Sequence, residues 1–266
     1  MPSDNNDIGQ LIPGNGAPDR PGTEDLVSVI VTCCGQLEYT RLCVPSVLRY
    51  SRQPFELVFV DMASLDGTAE YLAGVAAAAS VPVSIVHTGP ETSFGAACNQ
   101  GIARSRGQFL VVLSNDTIVT DNWLNQLVAL SNLDPSIGLV GPMCNCAPEP
   151  QGTASPSYRL RSQDGFRSRS EIEAALDAVN SFARGWRDTH RGEWLQTERL
   201  AAFCFLTKRS VLQAIRQFDA DSALALSGDE LCQRVRRAGY RLACCRDLYV
   251  HHAGSRVIAT KSGPAL

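Results

Sequence analysis

The residue types able to do chemistry gather where apolar runs stop. Phe109 to Leu113 is wholly apolar and ends abruptly in Ser114, Asn115, Asp116 and Thr117, and the run ELVFVD closes in the same way at Asp61. A strand buried on both faces reads as a continuous apolar run, and ligands of open α/β sheets collect beyond the carboxyl ends of such strands. Two acids at two strand ends are therefore candidates for one ligand in one crevice. In the plainer alternative Asn115 and Asp116 turn the chain and cap the helix opening near Asp121, and Asp61 caps its own turn; this requires two coincidences. A third acid, Asp229, follows Ser227-Gly228 at the start of another helical pattern, where its alternative role is an N-cap.

The elements that must position these acids follow from periodicity. Val27 to Thr32 is a β-branched run of strand length, followed by a polar break at Gly35-Gln36 and a helical pattern of Leu37, Leu42, Val44 and Val47. The unit repeats three times: ELVFVD with a helix over Thr68 to Val75, Val81 to His87 with a helix over Phe94 to Arg104, and Phe109 to Leu113 with a helix over Asp121 to Leu130. Four such units predict a Rossmann-like α/β fold, a mostly parallel central sheet with right-handed crossovers and helices on both faces. Ile137 to Val140 reads as a fifth strand.

The pattern then changes. Cys144 to Arg169 is rich in Pro, Ser, Gln and Arg, and only Ile172 to Phe182 reads as an amphipathic helix, so this stretch is expected to be an insertion serving as a lid or binding surface. Trp186, His190, Arg191 and Trp194 form an aromatic and basic cluster that would either grip a substrate or anchor a loop. Regular elements return at Leu200 to Leu206, Ser210 to Ile215 and Glu230 to Ala238, followed by a strand pair, Arg241 to Cys245 and Leu248 to Val250, leading to His251-His252.

Bulk properties narrow the function. The 266 residues are enough for one large α/β domain, and 44% hydrophobic with 19% charged is ordinary globular composition. A net charge of -3 gives no case for nucleic acid, and an anionic small ligand would need local help. Residues 1–26 have the composition of a disordered leader or linker without signal-peptide character, residues 259–266 read as a tail, and no apolar run approaches membrane-spanning length. The expected location is cytoplasmic, with a peripheral position at the inner face of a membrane or in a larger assembly as the alternative. The ten cysteines are scattered, with adjacent pairs at Cys33-Cys34 and Cys244-Cys245 and a C-x-C at Cys144 to Cys146, and read as reduced thiols. Neither G-x-G-x-x-G after the first strand nor G-x-x-x-x-G-K-[ST] occurs, so any nucleotide is held by side chains and a metal more than by a glycine loop.

From Val27 to Arg256 the sequence resembles the family 2 glycosyltransferases of GT-A fold. VSVIVTCCGQLEYTRLCVPSVL is similar to the family's first strand and helix, ELVFVDMASLDGTAEYL to its second block, and GAACNQGIARSRGQFLVVLSNDT to the block leading into its metal motif. FCFLTKRSVLQAIRQFD, DELCQRVRRAGYRL and VHHAGS keep the family's order. The resemblance implies a single GT-A domain over residues 27–258, with a nucleotide-sugar-binding half at 27–142 and an acceptor-binding half at 143–258. It implies inverting transfer from a nucleotide-diphosphate sugar, a UDP-sugar above others, to a hydroxyl of a glycan, lipid-linked or polypeptide acceptor. Thr32 and Asp61 match positions that hold base and ribose, Asp66 belongs to the same turn, and Asn99 and Asn115 lie in the nucleotide-sugar blocks. Asp116 matches the last acid of the Asp-x-Asp motif that binds Mn2+ or Mg2+, and His251 or His252 falls where the family places a histidine near metal and diphosphate. A hard divalent ion with carboxylate and phosphate oxygens also suits a chain of net negative charge.

One block departs from the pattern. Where the family carries a Glu-Asp pair whose Asp is the base, the ungapped match falls on Ser227-Gly228, leaving Asp229 as the expected base and Glu230 as the second choice. Two alternatives follow: a noncatalytic module that binds a nucleotide sugar or glycan, and a nucleotidyltransferase, whose glycine-rich basic loop is missing here.

Overall fold

Alternation along the first strand explains why apolar residues face both ways. In β1 (Val27–Cys33), Val27, Val29 and Val31 join one buried cluster while Ile30 joins another on the opposite face. The computed structural model describes residues 25–153, 156–160, 166, 168–219 and 228–254. The expected leader to residue 24 and the tail lie outside the described residues.

β2 (Phe55–Met62), β3 (Val83–Thr88) and β4 (Phe109–Ser114) run parallel with β1, linked by α1 (Leu37–Tyr50), α2 (Thr68–Ala78) and α3 (Phe94–Arg104). The register sets Thr32 beside Ser114, Cys33 beside Asp61, and Asp61 beside His87, so the polar strand ends lie at one level. α3 packs closely enough that a Cβ on Gly101 would meet Ile30 Cγ2 at 2.6 Å and Val60 Cγ2 at 2.9 Å. A larger side chain there would push the helix off the sheet.

After β4 the chain forms the short β5 (Thr117–Ile118), α4 (Trp123–Leu133) and β6 (Ile137–Met143), then α5 (Arg169–Thr189), β7 (Trp194–Thr197), β8 (Cys204–Lys208), α6 (Arg209–Ala214) and α7 (Asp229–Arg237). It continues through β9 (Arg241–Tyr249) to the short β10 (His251–His252). Among the described residues the main sheet has eight strands in the order β3-β2-β1-β4-β8-β6-β9-β7. Helices α1, α2, α4 and α5 contribute to the cluster on one face, and α3, α6 and α7 to the cluster on the other. This is a mostly parallel α/β sheet with helices on both faces.

Several elements differ from the expectations. β8 runs antiparallel to both β4 and β6, and β7 antiparallel to β9. The expected strand pair over Arg241 to Val250 is one strand, β9, because its polar Arg246-Asp247 step is accommodated as a register shift against Met143 rather than as a turn. α5 is longer than Ile172 to Phe182: a capping box at Ser168 and Glu171 starts it, and a cap at His190 stops it. The Leu200 to Leu206 run becomes a strand only from Cys204. Among the described residues no helix is long and apolar enough to cross a membrane.

Candidate active site

A cavity of about 570 Å³ opens at the carboxyl ends of β1 and β4. Thr32, Ser114, Asn115 and Asp116 line it, together with Arg199 to Phe203, Asp229, His252 and Pro90 to Phe94. The chain reaches this arrangement through a two-strand ribbon. β5 pairs antiparallel with β10, which sets His252 opposite Thr117, and the Ala253 amide donates to the Asp116 carbonyl at 2.9 Å. The residues following β4 are thereby laid against the residues following β9.

The ribbon produces an unusual pair. Asp116 is 4% and His252 8% exposed, and Asp116 Oδ2 and His252 Nε2 stand 3.4 Å apart, both without a hydrogen-bond partner. His252 Nδ1 lies 3.2 Å from the Cys146 carbonyl, which can only accept, so the ring proton sits on Nδ1 in this bond and Nε2 presents a lone pair to the carboxylate. Two buried electron-rich atoms facing each other need a proton or a cation between them. Burial pushes the Asp116 pKa up, but His252 when it carries a proton at Nε2, together with a hydrogen bond from the Ser114 hydroxyl, outweighs it and holds the carboxyl below its usual range; with His252 neutral, a cation would take that proton's place. Asp116 and His252 thus fit a divalent cation as two protein ligands. No cluster of three or more His, Cys, Asp or Glu suited to a metal occurs among the described residues, so the remaining ligands would be phosphate oxygens and water.

His251 does not share this position. Strand alternation turns its ring toward Tyr158, whose hydroxyl lies 2.7 Å from His251 Nδ1, and burial, aided by His252, lowers its pKa to about 4. His251 is absent from the cavity lining.

The other expected site residues separate into lining and support. Thr32 lines the cavity with its hydroxyl directed to the Leu113 carbonyl at 3.4 Å. Asn115 lines it too, while its amide donates to the Gly35 carbonyl and Thr40 Oγ1, tying the end of β4 to the start of α1. Asp61 stands at the end of β2, accepting from the Ser64 amide at 3.2 Å and lying 3.2 Å from His87 Nδ1. Asp66 accepts from the Leu37 amide and from Thr68; burial raises its pKa, and these hydrogen bonds outweigh it and lower it. Asn99 is bound to the Phe218 backbone, accepting from its amide and donating to its carbonyl. Asp61, Asp66 and Asn99 are not part of the cavity lining.

Also in the lining, Arg199 grips Asp229 with two hydrogen bonds of 2.8 and 2.9 Å. Asp229 is the first residue of α7, and Gly228 before it has φ +74°, with room for no Cβ: one would lie 2.8 Å from the Leu200 carbonyl and 3.3 Å from Ala202. A carboxylate cannot be carried at 228 without strain, which moves the first acid to 229. Ser227 lies outside the described residues. Glu230 pairs instead with Arg234 at 3.1 Å, leaves Oε2 unpartnered, and does not line the cavity.

The Trp186 cluster anchors more than it grips. Trp186 donates from Nε1 to the Arg246 carbonyl at 2.7 Å and stacks on His190 at 4.0 Å, fixing α5 to β9, while Trp194 is partly exposed on β7. Arg199, Phe203 and Asn145 escaped the sequence reading. Arg199 carried a faint signal, a cation opening an apolar run; the others are recognisable only once the ribbon has formed.

Residues 28–215 match the model of glycosyl transferase family 2. Among curated proteins, the uncharacterized protein y4gI of Sinorhizobium fredii is 25% identical over 243 residues, covering 87% of this chain and 25% of that one. Glycosyltransferase GlyG of Streptococcus pneumoniae is 26% identical over 103 residues, 39% of this chain and 34% of GlyG. The chain therefore spans about a third or less of these relatives. Among solved structures, the mannosyltransferase PcManGT of Pyrobaculum calidifontis, in complex with GDP-Man and Mn2+, superposes with a TM-score of 0.61 at 18% identity, covering 91% of this chain and 61% of its own. GalNAc-T7, with UDP, GalNAc and Mn2+, gives 0.62 at 17% identity, covering 89% and 45%. The extent of the family match decides the assignment: this chain belongs to glycosyl transferase family 2.

Proposed function

We propose that the chain is the catalytic domain of an inverting, metal-dependent glycosyltransferase that moves a sugar from a nucleotide-diphosphate sugar to an acceptor hydroxyl. The observation carrying this reading is the unpartnered Asp116–His252 pair facing the same cavity as Asp229. Thr32 and Asp61 would hold the nucleoside, and Asp116 and His252 would hold Mn2+ or Mg2+. When bound, the ion neutralises charge on the leaving diphosphate. Asp229 accepts the proton of the acceptor hydroxyl as its oxygen attacks the anomeric carbon from the face opposite the diphosphate, so configuration inverts. Arg199 aims Asp229 through two hydrogen bonds, and must yield one carboxylate oxygen to the hydroxyl.

The structural neighbours, one solved with GDP-Man and one with UDP and GalNAc, support a nucleotide-sugar donor, and a UDP-sugar is the first to test. The acceptor is a glycan, lipid-linked sugar or polypeptide hydroxyl. A thermal-unfolding panel of UDP, GDP and their sugars with and without Mn2+ tests the reading, because a ligand of the native state raises the midpoint. A Mn2+-dependent rise supports it, and no rise with any nucleotide overturns it. A second reading, a noncatalytic nucleotide-sugar-binding module, is favoured by the engagement of both Asp229 oxygens by Arg199. Binding without donor hydrolysis or transfer would select it.

A further inference from the structure

The C-x-C at Cys144 to Cys146 holds its most informative residue between the thiols. The Asn145 side chain grips both backbone polar groups of His252: Oδ1 accepts from the His252 amide at 2.9 Å, and Nδ2 donates to the His252 carbonyl at 2.8 Å. Oδ1 also accepts from the Tyr249 hydroxyl at 3.2 Å. The next residue contributes the Cys146 carbonyl that takes the Nδ1 proton, and Phe203 stacks on the imidazole at 4.9 Å and 16°. β10 is only two residues long and pairs with an equally short β5, so the ribbon alone fixes little.

We propose that Asn145 is a positioning residue for the cation site: its amide locks the His252 backbone so that Cys146 sets the imidazole tautomer and Nε2 is presented beside Asp116. This rests on the cation reading above, but the clamp makes a claim of its own. An imidazole that can ligate a metal needs its other nitrogen committed to a proton and a fixed acceptor, which is the role of groups behind a metal ligand. Here the commitment is delivered through the backbone, across 107 residues of sequence. Truncating Asn145 frees the His252 peptide to rotate, lengthens the Nδ1 contact and allows both tautomers.

Two measurements on the whole chain test this. With four histidines, the imidazole nitrogens can be assigned by single substitutions and read by 15N NMR of metal-free protein at about pH 8, above the ordinary imidazole range. The expected result is His252 protonated at Nδ1 in the native chain and a mixture of tautomers in Asn145→Ala. Mn2+ affinity, titrated by electron paramagnetic resonance with UDP and in a second arm GDP, should fall roughly tenfold to a hundredfold in Asn145→Ala. The same change should be nearly silent in a His252→Ala background, because the two act as a unit. Asn145→Asp, which retains the acceptor for the His252 amide, serves if Asn145→Ala fails to fold, and it should give a smaller loss. An unchanged tautomer, or an affinity loss that adds fully to that of His252→Ala, overturns the proposal. If the native chain binds no Mn2+ with either nucleotide while Asn145→Ala still mixes the tautomers, the clamp stands and the cation reading falls.

Discussion

The parallel flank of the sheet, β3-β2-β1-β4, and the mixed flank, β8-β6-β9-β7, bring groups to the cavity by opposite means. In the parallel flank, backbone register aligns Thr32 and Ser114, and the supporting side-chain contacts range from short, as when Asp61 accepts from Ser64, to long, as when Asn115 donates to the Gly35 carbonyl across 80 residues. In the mixed flank the groups meet through side chains: Arg199 reaches Asp229 across 30 residues, and Asn145 reaches His252 across 107. A sheet register is a cooperative property that no single side chain owns. A side-chain contact can be deleted alone. Ligand holding should therefore be robust where it rests on register, and the chemistry fragile where it rests on contacts.

Four substitutions break or sharpen that contrast. Asp229→Asn should lower turnover by roughly a hundredfold to ten-thousandfold while leaving nucleotide-sugar affinity near normal, measured by steady-state transfer and calorimetry. Equal loss of affinity would erase the division of labour between the flanks. Asp116→Asn should weaken Mn2+-dependent nucleotide binding about a hundredfold, and undiminished calorimetric affinity would sink the metal assignment.

Glu56 tests the parallel flank far from the cavity. It accepts from Ser28, the Arg106 amide and the Arg106 guanidinium, and although burial raises its pKa, these bonds outweigh burial and lower it. A folded value below the unfolded one means the stabilisation is full above the ordinary carboxylate range near 4.3 and is lost as pH falls through the folded value. Glu56→Gln should cost about 2 kcal/mol in denaturant melts at neutral pH and progressively less in acid. A constant difference across pH would contradict the ionised network. The smallest effect belongs to Gly228→Ala, where positive φ and the Leu200 carbonyl predict a loss of about 1 to 2 kcal/mol in stability, with turnover falling as Asp229 shifts.

What could be read in advance follows the same division. The four strand-helix units, and Asp61 and Asp116 at strand ends, were legible because apolar runs and polar stops are local signals. The reversal of β8 was not: a short apolar strand buried on both faces carries no mark of its direction. His251 and His252 were indistinguishable as neighbours, and only pairing with β5 assigns one to Tyr158 and the other to Asp116. Arg199 and Asn145 gained meaning only from partners far along the chain.

The β5–β10 ribbon also bears on the order in which the molecule matures. During synthesis β1 to β4 and their helices can pair as they emerge, since their partners are near in sequence. Asp116 meets His252 only after a further 136 positions have left the ribosome. An unfinished chain can therefore own a folded sheet and a carboxylate at its edge yet lack the imidazole that faces it. On the proposed cation reading, capture would be a late checkpoint, passed only by molecules whose last strands have found the first half of the fold.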